Sequence, residues 1–150
     1  MLRSDHSAKT VVGTFVREMK NDQGEMRRLI PAAVKVLSDE YDPESITSTL
    51  RSLRLRLNQH FYLEEAFGYF EEELSDQPWL GGAVQRLRDE HESLSGKMDH
   101  IVCQSLARPR ADVHQLRADF ADFLVCLRQH EQRENELIMT AFNDEVGVCD

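Results

Sequence analysis

Long apolar runs are missing from this chain: no stretch approaches the ~18 residues that a transmembrane helix needs. The N-terminus carries no hydrophobic stretch followed by a small-residue cleavage site, so no secretory leader is expected. Proline and glycine are scarce, with four and seven among 150 residues, and with 30% charged residues that balance favours long helices over turn-rich sheet. Basic residues are in the minority: 18 Lys and Arg stand against 27 Asp and Glu, a net charge of −9. Such a surface repels polyanions, which argues against nucleic acid or an anionic membrane as a partner. Cysteine is limited to Cys103, Cys126 and Cys149, an odd set without CxxC spacing. Sparse, unpaired thiols of this kind fit a reduced, cytosolic protein. There is no P-loop, no glycine-rich nucleotide fingerprint and no GxSxG elbow. No flavin or iron–sulfur motif supplies electrons in cis.

What is present reads as helix, in one domain with one core. Residues 1–20 form an N-terminal arm whose apolar stripe of Val11, Val12, Phe15, Val16 and Met19 predicts partial helix. The bundle occupies 21–146. Asn21 or Asp22 can cap a first helix reaching about Ser38. Pro31 lies inside it, and a proline removes a backbone donor, so the helix is expected to kink near Arg27–Ile30 or to begin later. Asp42-Pro43-Glu44 is a strong start for a second helix running to about Leu74, with Leu50, Leu53, Leu57, Leu63, Phe67 and Phe70 on its apolar side. Gln77-Pro78 opens a third helix, anchored at Trp79 and ending near Ala107. A fourth begins around Pro109 and passes Phe142, with an apolar stripe through Leu116, Phe120, Phe123, Leu127 and Leu137. Short connections between long helices imply antiparallel neighbours. The expected fold is all-α: an up-down-up-down antiparallel four-helix bundle with an N-terminal arm. Leu53-Arg54-Leu55-Arg56-Leu57 alternates, but within a longer helical pattern, and no strand is expected.

One short pattern occurs twice. Leu57-Asn58-Gln59-His60-Phe61-Tyr62-Leu63-Glu64 and Leu127-Arg128-Gln129-His130-Glu131-Gln132-Arg133-Glu134 are both L-x-Q-H-x-x-x-E. A His and a Glu four apart share a helix face, one turn apart. Imidazole nitrogen and carboxylate oxygen are the donors that a non-haem iron or zinc site uses. The repeat extends upstream: His91 lies 39 residues before His130, and the matching residue, 37 before His60, is Gln23. Met26 and Leu94 follow at i+3, Ile30 and Met98 at i+7. The second half therefore offers His plus HxxxE, and the first half Gln plus HxxxE.

The set His60-x-x-x-Glu64, His91, His130-x-x-x-Glu134 resembles the hemerythrin-like family, the HHE cation-binding domains. The resemblance covers about residues 22–142 and includes Glu90-His91-Glu92 and the Glu64-Glu65 pair. It implies a carboxylate-bridged di-iron centre, with another divalent metal as an alternative occupant. His60, His91 and His130 would be terminal nitrogen ligands, and Glu64 and Glu134 would bridge or cap the two ions. The family's first-helix His falls on Gln23, a weak or vacant ligand position. The implied ligand is small and metal-directed, such as O2 or NO, or the role is the handling of iron.

Two rival readings follow from the same residues. A metal-free interaction or regulatory module would keep the fold and lose ligation at Gln23. An enzyme, an oxidase or an NO-detoxifying protein, would need an external electron donor, so a binding protein is favoured over one that turns over. Among other candidates, Glu131 is expected to be solvated, Cys126 to be a small buried residue, and His100, His114 and His6 to lie away from the centre. Tyr62 and Tyr69 are expected to pack or hydrogen-bond near it. Oligomeric state is not legible.

Overall fold

Asp42 starts the best-defined helix as the sequence predicts. Its carboxylate accepts from the Glu44 backbone N–H at 3.2 Å and from Ser45 Oγ at 2.6 Å, and its carbonyl accepts from Ile46 N at 3.0 Å. The N–H of Glu44, which no carbonyl of the helix can serve, is thereby satisfied, and the bond from Ile46 opens the helical ladder. The hydrogen bond from Ser45 holds the Asp42 carboxyl below its ordinary range.

The structure, a computed structural model, describes residues 17, 24, 26–38, 42–66, 78–106 and 113–146, with the side chains of 78–80 and 141–146 excepted. Among the described residues there are four helices and no strand: α1 over 26–38, α2 over Pro43–Ala66, α3 over Pro78–Leu106 and α4 over Val113–Val146. Consecutive helices pack antiparallel: Thr47 meets Ser105 at one end of the α2–α3 pair, and Glu64 meets His91 at the other. The all-α four-helix bundle is as expected. No described helix is long and apolar enough to cross a membrane.

Residues 24 and 26–38 are all helical, so α1 does not begin later than expected and runs on through Pro31. Pro31 and Arg27 are both exposed. Water can therefore satisfy the Arg27 carbonyl that the proline cannot serve, which lowers the cost of the missing donor. The carbonyls at the end of α1 are met from α4: Arg117 donates to Leu37 O and, at 3.4 Å, to Ser38 O. The arm (apart from residue 17), Gln23 and the stretches 67–77 and 107–112 lie outside the described residues, and with them Phe67, Tyr69, Phe70, the expected end of α2 near Leu74 and the expected start of α4 near Pro109.

Most buried positions follow a single rule. On α2 these are Ile46, Leu50, Leu53, Leu57, His60 and Glu64; on α3, Val84, Leu87, His91, Leu94, Met98, Ile101 and Ser105; on α4, Leu116, Phe120, Phe123, Leu127, His130, Glu134 and Leu137, while Thr47, Phe61 and Val102 are buried one residue beside such a position. Steps alternate between three and four, the inner seam of helices packed a few degrees from antiparallel. The main core runs from Met26, Ala33 and Leu37 through Leu53, Met98 and Phe123 to Phe61 and Leu127. At one level of the bundle the seam changes from Leu and Phe to His and Glu. Past that level it turns apolar again at Val84, Leu87 and Leu137, which stand apart from the main cluster.

Candidate metal centre

His60, Glu64, His91, His130 and Glu134 are all buried at this polar level. They arrive from three helices because each occupies a seam position, and the i,i+4 pairs place His60 over Glu64 on α2 and His130 over Glu134 on α4. Ligand atoms of Glu64, His91, His130 and Glu134 lie within 4.8 Å of one another. His60 joins them: its Nε2 contacts Glu64 Oε1 and stands 3.9 Å from Glu134 Oε2. Glu64 is the hub. Its Oε2 is 2.6 Å from His91 Nε2 and 3.7 Å from His130 Nε2, and its side chain is 0% exposed.

An orphaned set of atoms tests the fit of a metal. Nε2 of His130 and both oxygens of Glu134 are buried without a hydrogen bond of acceptable geometry, although Nε2 and Oε1 are in close contact. Buried polar atoms left in this way are costly in a protein interior. A cation placed among three imidazole nitrogens and two carboxylates would satisfy them at once. The donor set is borderline in softness, without thiolate, and suits divalent iron, manganese or zinc. The residues fit the group.

Charge confirms the crowding. Burial pushes the Glu134 carboxyl up, and the neighbouring Glu64 carboxylate adds to it, so it titrates at about 8. Burial also raises Glu64, but hydrogen bonds from His130, His60 and His91 outweigh it and hold that carboxyl well below its usual range. Two carboxylates this close do not both ionise readily. Burial lowers His130, yet contact with Glu134 and Glu64 lifts it to about 10.

An outer ring of groups holds the imidazoles. Nδ1 of His91 is 3.1 Å from Glu65 Oε1, and Nδ1 of His130 is 3.1 Å from Glu90 Oε1. Each ring thus turns Nε2 inward. Phe61 stacks on His91 with centroids 4.1 Å apart and meets His130 edge-on at 5.6 Å. The sequence repeat did not single out Glu65, Glu90 or Arg133. The only signal available was that Glu65 and Glu90 sit beside expected ligands in the chain.

Other expectations resolve plainly. His100 and His114 are exposed, away from the cluster. Cys126 is half-buried against the core and free, and Cys103 is free and exposed. Tyr62 neither packs nor bonds near the site as anticipated: it is 75% exposed, because its place on α2 lies off the seam. Glu131, expected in solvent, is half-buried, and burial raises its carboxyl. It lines a cavity of about 270 Å³ between α1 and α4, with Met26, Arg27, Ile30, Leu127 and Arg128.

The family model described as the hemerythrin HHE cation binding domain matches residues 14–142. Neither a curated protein nor a solved structure matches the chain.

Proposed function

The chain belongs to the hemerythrin HHE cation-binding family, and from that premise we propose that it holds a non-haem di-iron centre with which it binds or senses O2 or NO, or handles iron. The observation that carries the reading is the set of buried, unsatisfied ligand atoms on His130 and Glu134, converging with those of Glu64 and His91. His60, His91 and His130 would hold the metal through Nε2, and Glu64 and Glu134 would hold it through their carboxylates. Gln23 is the weak or vacant position of the first helix. Bound ferrous iron would supply electrons to a small oxidant.

The chain's own residues do the rest. Glu64 and Glu134 contribute two negative charges, and Glu65, Glu90 and Glu131 surround them with more, which favours a second divalent ion. Phe61, Leu57, Leu94 and Leu127 on one side and Val84, Leu87 and Leu137 on the other exclude water from the level between them. The cavity lined by Glu131 and Leu127 is large enough for a diatomic ligand, and Glu131 follows His130 directly on α4. Nothing in the arrangement offers a nucleophile or a second electron carrier, so binding is favoured over turnover. Free Cys103 and Cys126 and the acidic balance fit a cytoplasmic protein with no nucleic-acid or membrane partner.

Metal analysis and a visible spectrum of protein made under iron-replete conditions test the reading. About two irons per chain are expected, as in carboxylate-bridged bundles. Protein that retains no metal under those conditions would move the assignment to a metal-free interaction module.

A further inference from the structure

Glu90 precedes His91 in the chain, yet the group it serves is on the facing helix. Its Oε1 lies 3.1 Å from Nδ1 of His130 and accepts at 3.0 Å from Nε of Arg133. Nη2 of Arg133 closes on the other oxygen, Oε2. Arg133 is three residues beyond His130 on α4, so the three side chains form a closed loop across the α3–α4 seam. The loop is shielded: Glu90 is 19% exposed and Arg133 30%. Arg86, one turn before Glu90, adds a weaker contact at 4.0 Å.

The corresponding contact on His91 is built differently. Glu65, which meets Nδ1 of His91, is 49% exposed. An exposed carboxylate on a flexible stem spends part of its time in water. A carboxylate gripped at both oxygens by a guanidinium fork does not, because the fork matches its geometry.

We propose that Glu90 and Arg133 are positioning residues that make His130 a firmer nitrogen donor than His91. The inference rests on the metal-binding reading above. Accepting the Nδ1 hydrogen leaves Nε2 as the lone-pair nitrogen and aims it inward. The negative charge behind the ring makes that lone pair a better donor. Arg133 keeps Glu90 from swinging out to solvent and sets how much of its charge reaches the ring. An ion held by His130 is therefore released more slowly than the imidazole and Glu134 alone would allow.

The test compares wild type with Glu90→Ala, Glu90→Gln, Arg133→Gln and, as a control on the exposed side of α3, Glu92→Ala. Each is loaded with zinc, and release to a chelator is followed in time. One bound zinc should leave Glu90→Ala about 10–100-fold faster than wild type. Glu90→Gln should fall between them, because the amide still accepts from Nδ1 but carries no charge. Arg133→Gln should also be intermediate, and Glu92→Ala should match wild type. The His130 Nδ1 proton supplies a readout that a purely structural role would not move. In the zinc-loaded protein its resonance should be observable and protected from exchange, and it should disappear in Glu90→Ala.

Wild-type release from Glu90→Ala, or faster release with the Nδ1 proton still protected, would overturn the assignment. So would equal acceleration in Glu92→Ala. If Glu90→Ala loses its helical circular dichroism, the near-isosteric Glu90→Gln and Arg133→Gln decide the matter: release at the wild-type rate from both overturns it. Wild type that holds no zinc and no iron would sink the metal-binding reading and this inference together. Wild type that holds metal, with unaffected variants, would sink this one alone.

Discussion

Thr47 and Ser105 are buried between α2 and α3, much as His60 and His91 are at the other end of the same helix pair. The two places treat their polar atoms differently. Thr47 Oγ1 donates to Ser105 Oγ at 3.2 Å, and Ser105 Oγ donates to the Val102 carbonyl at 2.6 Å. Every donor in that pair has an acceptor, and the pair asks for nothing more. At the other end, Nε2 of His130 and both oxygens of Glu134 have no satisfactory hydrogen bond. Burial of polar groups is common to both. Incomplete satisfaction, with the open atoms converging, marks the end built for a guest.

The sharpest break of this contrast is the loss of a central ligand. His130→Ala should remove most of the bound metal, while His100→Ala and His114→Ala, both exposed, should keep it. Metal analysis of the three proteins after identical loading decides, and equal loss in all three would defeat the assignment of the site.

The next effect concerns the metal-free protein. Glu134 titrates at about 8 against an ordinary 4.5, so the native state keeps a proton that the unfolded chain releases across that window. Native His130 likewise keeps its proton up to about 10, against 6.5 unfolded. Both groups bind more protons when folded, so stability falls as pH rises. The unfolding temperature of metal-free protein should therefore drop between pH 6 and 9. Glu64, held low, costs stability only on the acid side of 4.5. Glu134→Leu should abolish the part of the decline that ends near pH 8 and raise the metal-free unfolding temperature by a few degrees, since a buried carboxyl is replaced by a seam leucine. It should also weaken metal binding severely. Calorimetry across pH, with and without metal, measures both.

A smaller change sharpens the comparison from the first helix. The repeat aligns Gln23 with His91, and Gln23 stands three residues before Met26, a seam step in the sequence. Gln23→His should tighten the weaker ion about tenfold, the order of effect of one ligand or its support. Identical iron stoichiometry and release rate in the two proteins would mean the first helix is misaligned. The smallest effect is at the satisfied end. Thr47→Val should cost about 1 kcal/mol in denaturant unfolding, the worth of one hydrogen bond whose partner keeps another acceptor. It should leave metal content untouched.

Much of this was legible in the sequence because one rule governs both packing and ligation. The three-and-four spacing that buries Leu53 and Phe123 also buries His60 and Glu134, so a pattern along the chain pointed to both the core and the buried His and Glu cluster. The unread parts depend on pairings across helices. Glu90 meets His130 and Arg133 over 40 and 43 residues, and Glu65 meets His91 over 26. All three lie one residue from a seam position, where the chain gives no sign of which neighbour they face. Tyr62 was misjudged because closeness to His60 in sequence is not closeness in space: it points to solvent from an off-seam position. Of the two outcomes that Pro31 left open, the later start is excluded, because residues 24 and 26–38 are helical.

The seam has a consequence for descent. Most inner positions of this bundle hold aliphatic side chains, and Leu fills nearly the same volume as the His and Glu that hold the others. A lineage can therefore surrender a ligand in a single substitution without passing through an unfolded intermediate. It can regain one just as directly, if the new imidazole lands on a three-or-four step. In such a scaffold the architecture is the durable inheritance and the chemistry is the part that is easily lost, so a sequence that carries Gln23 where its own repeat calls for a histidine, and keeps His60, His91 and His130, is an accessible stopping point.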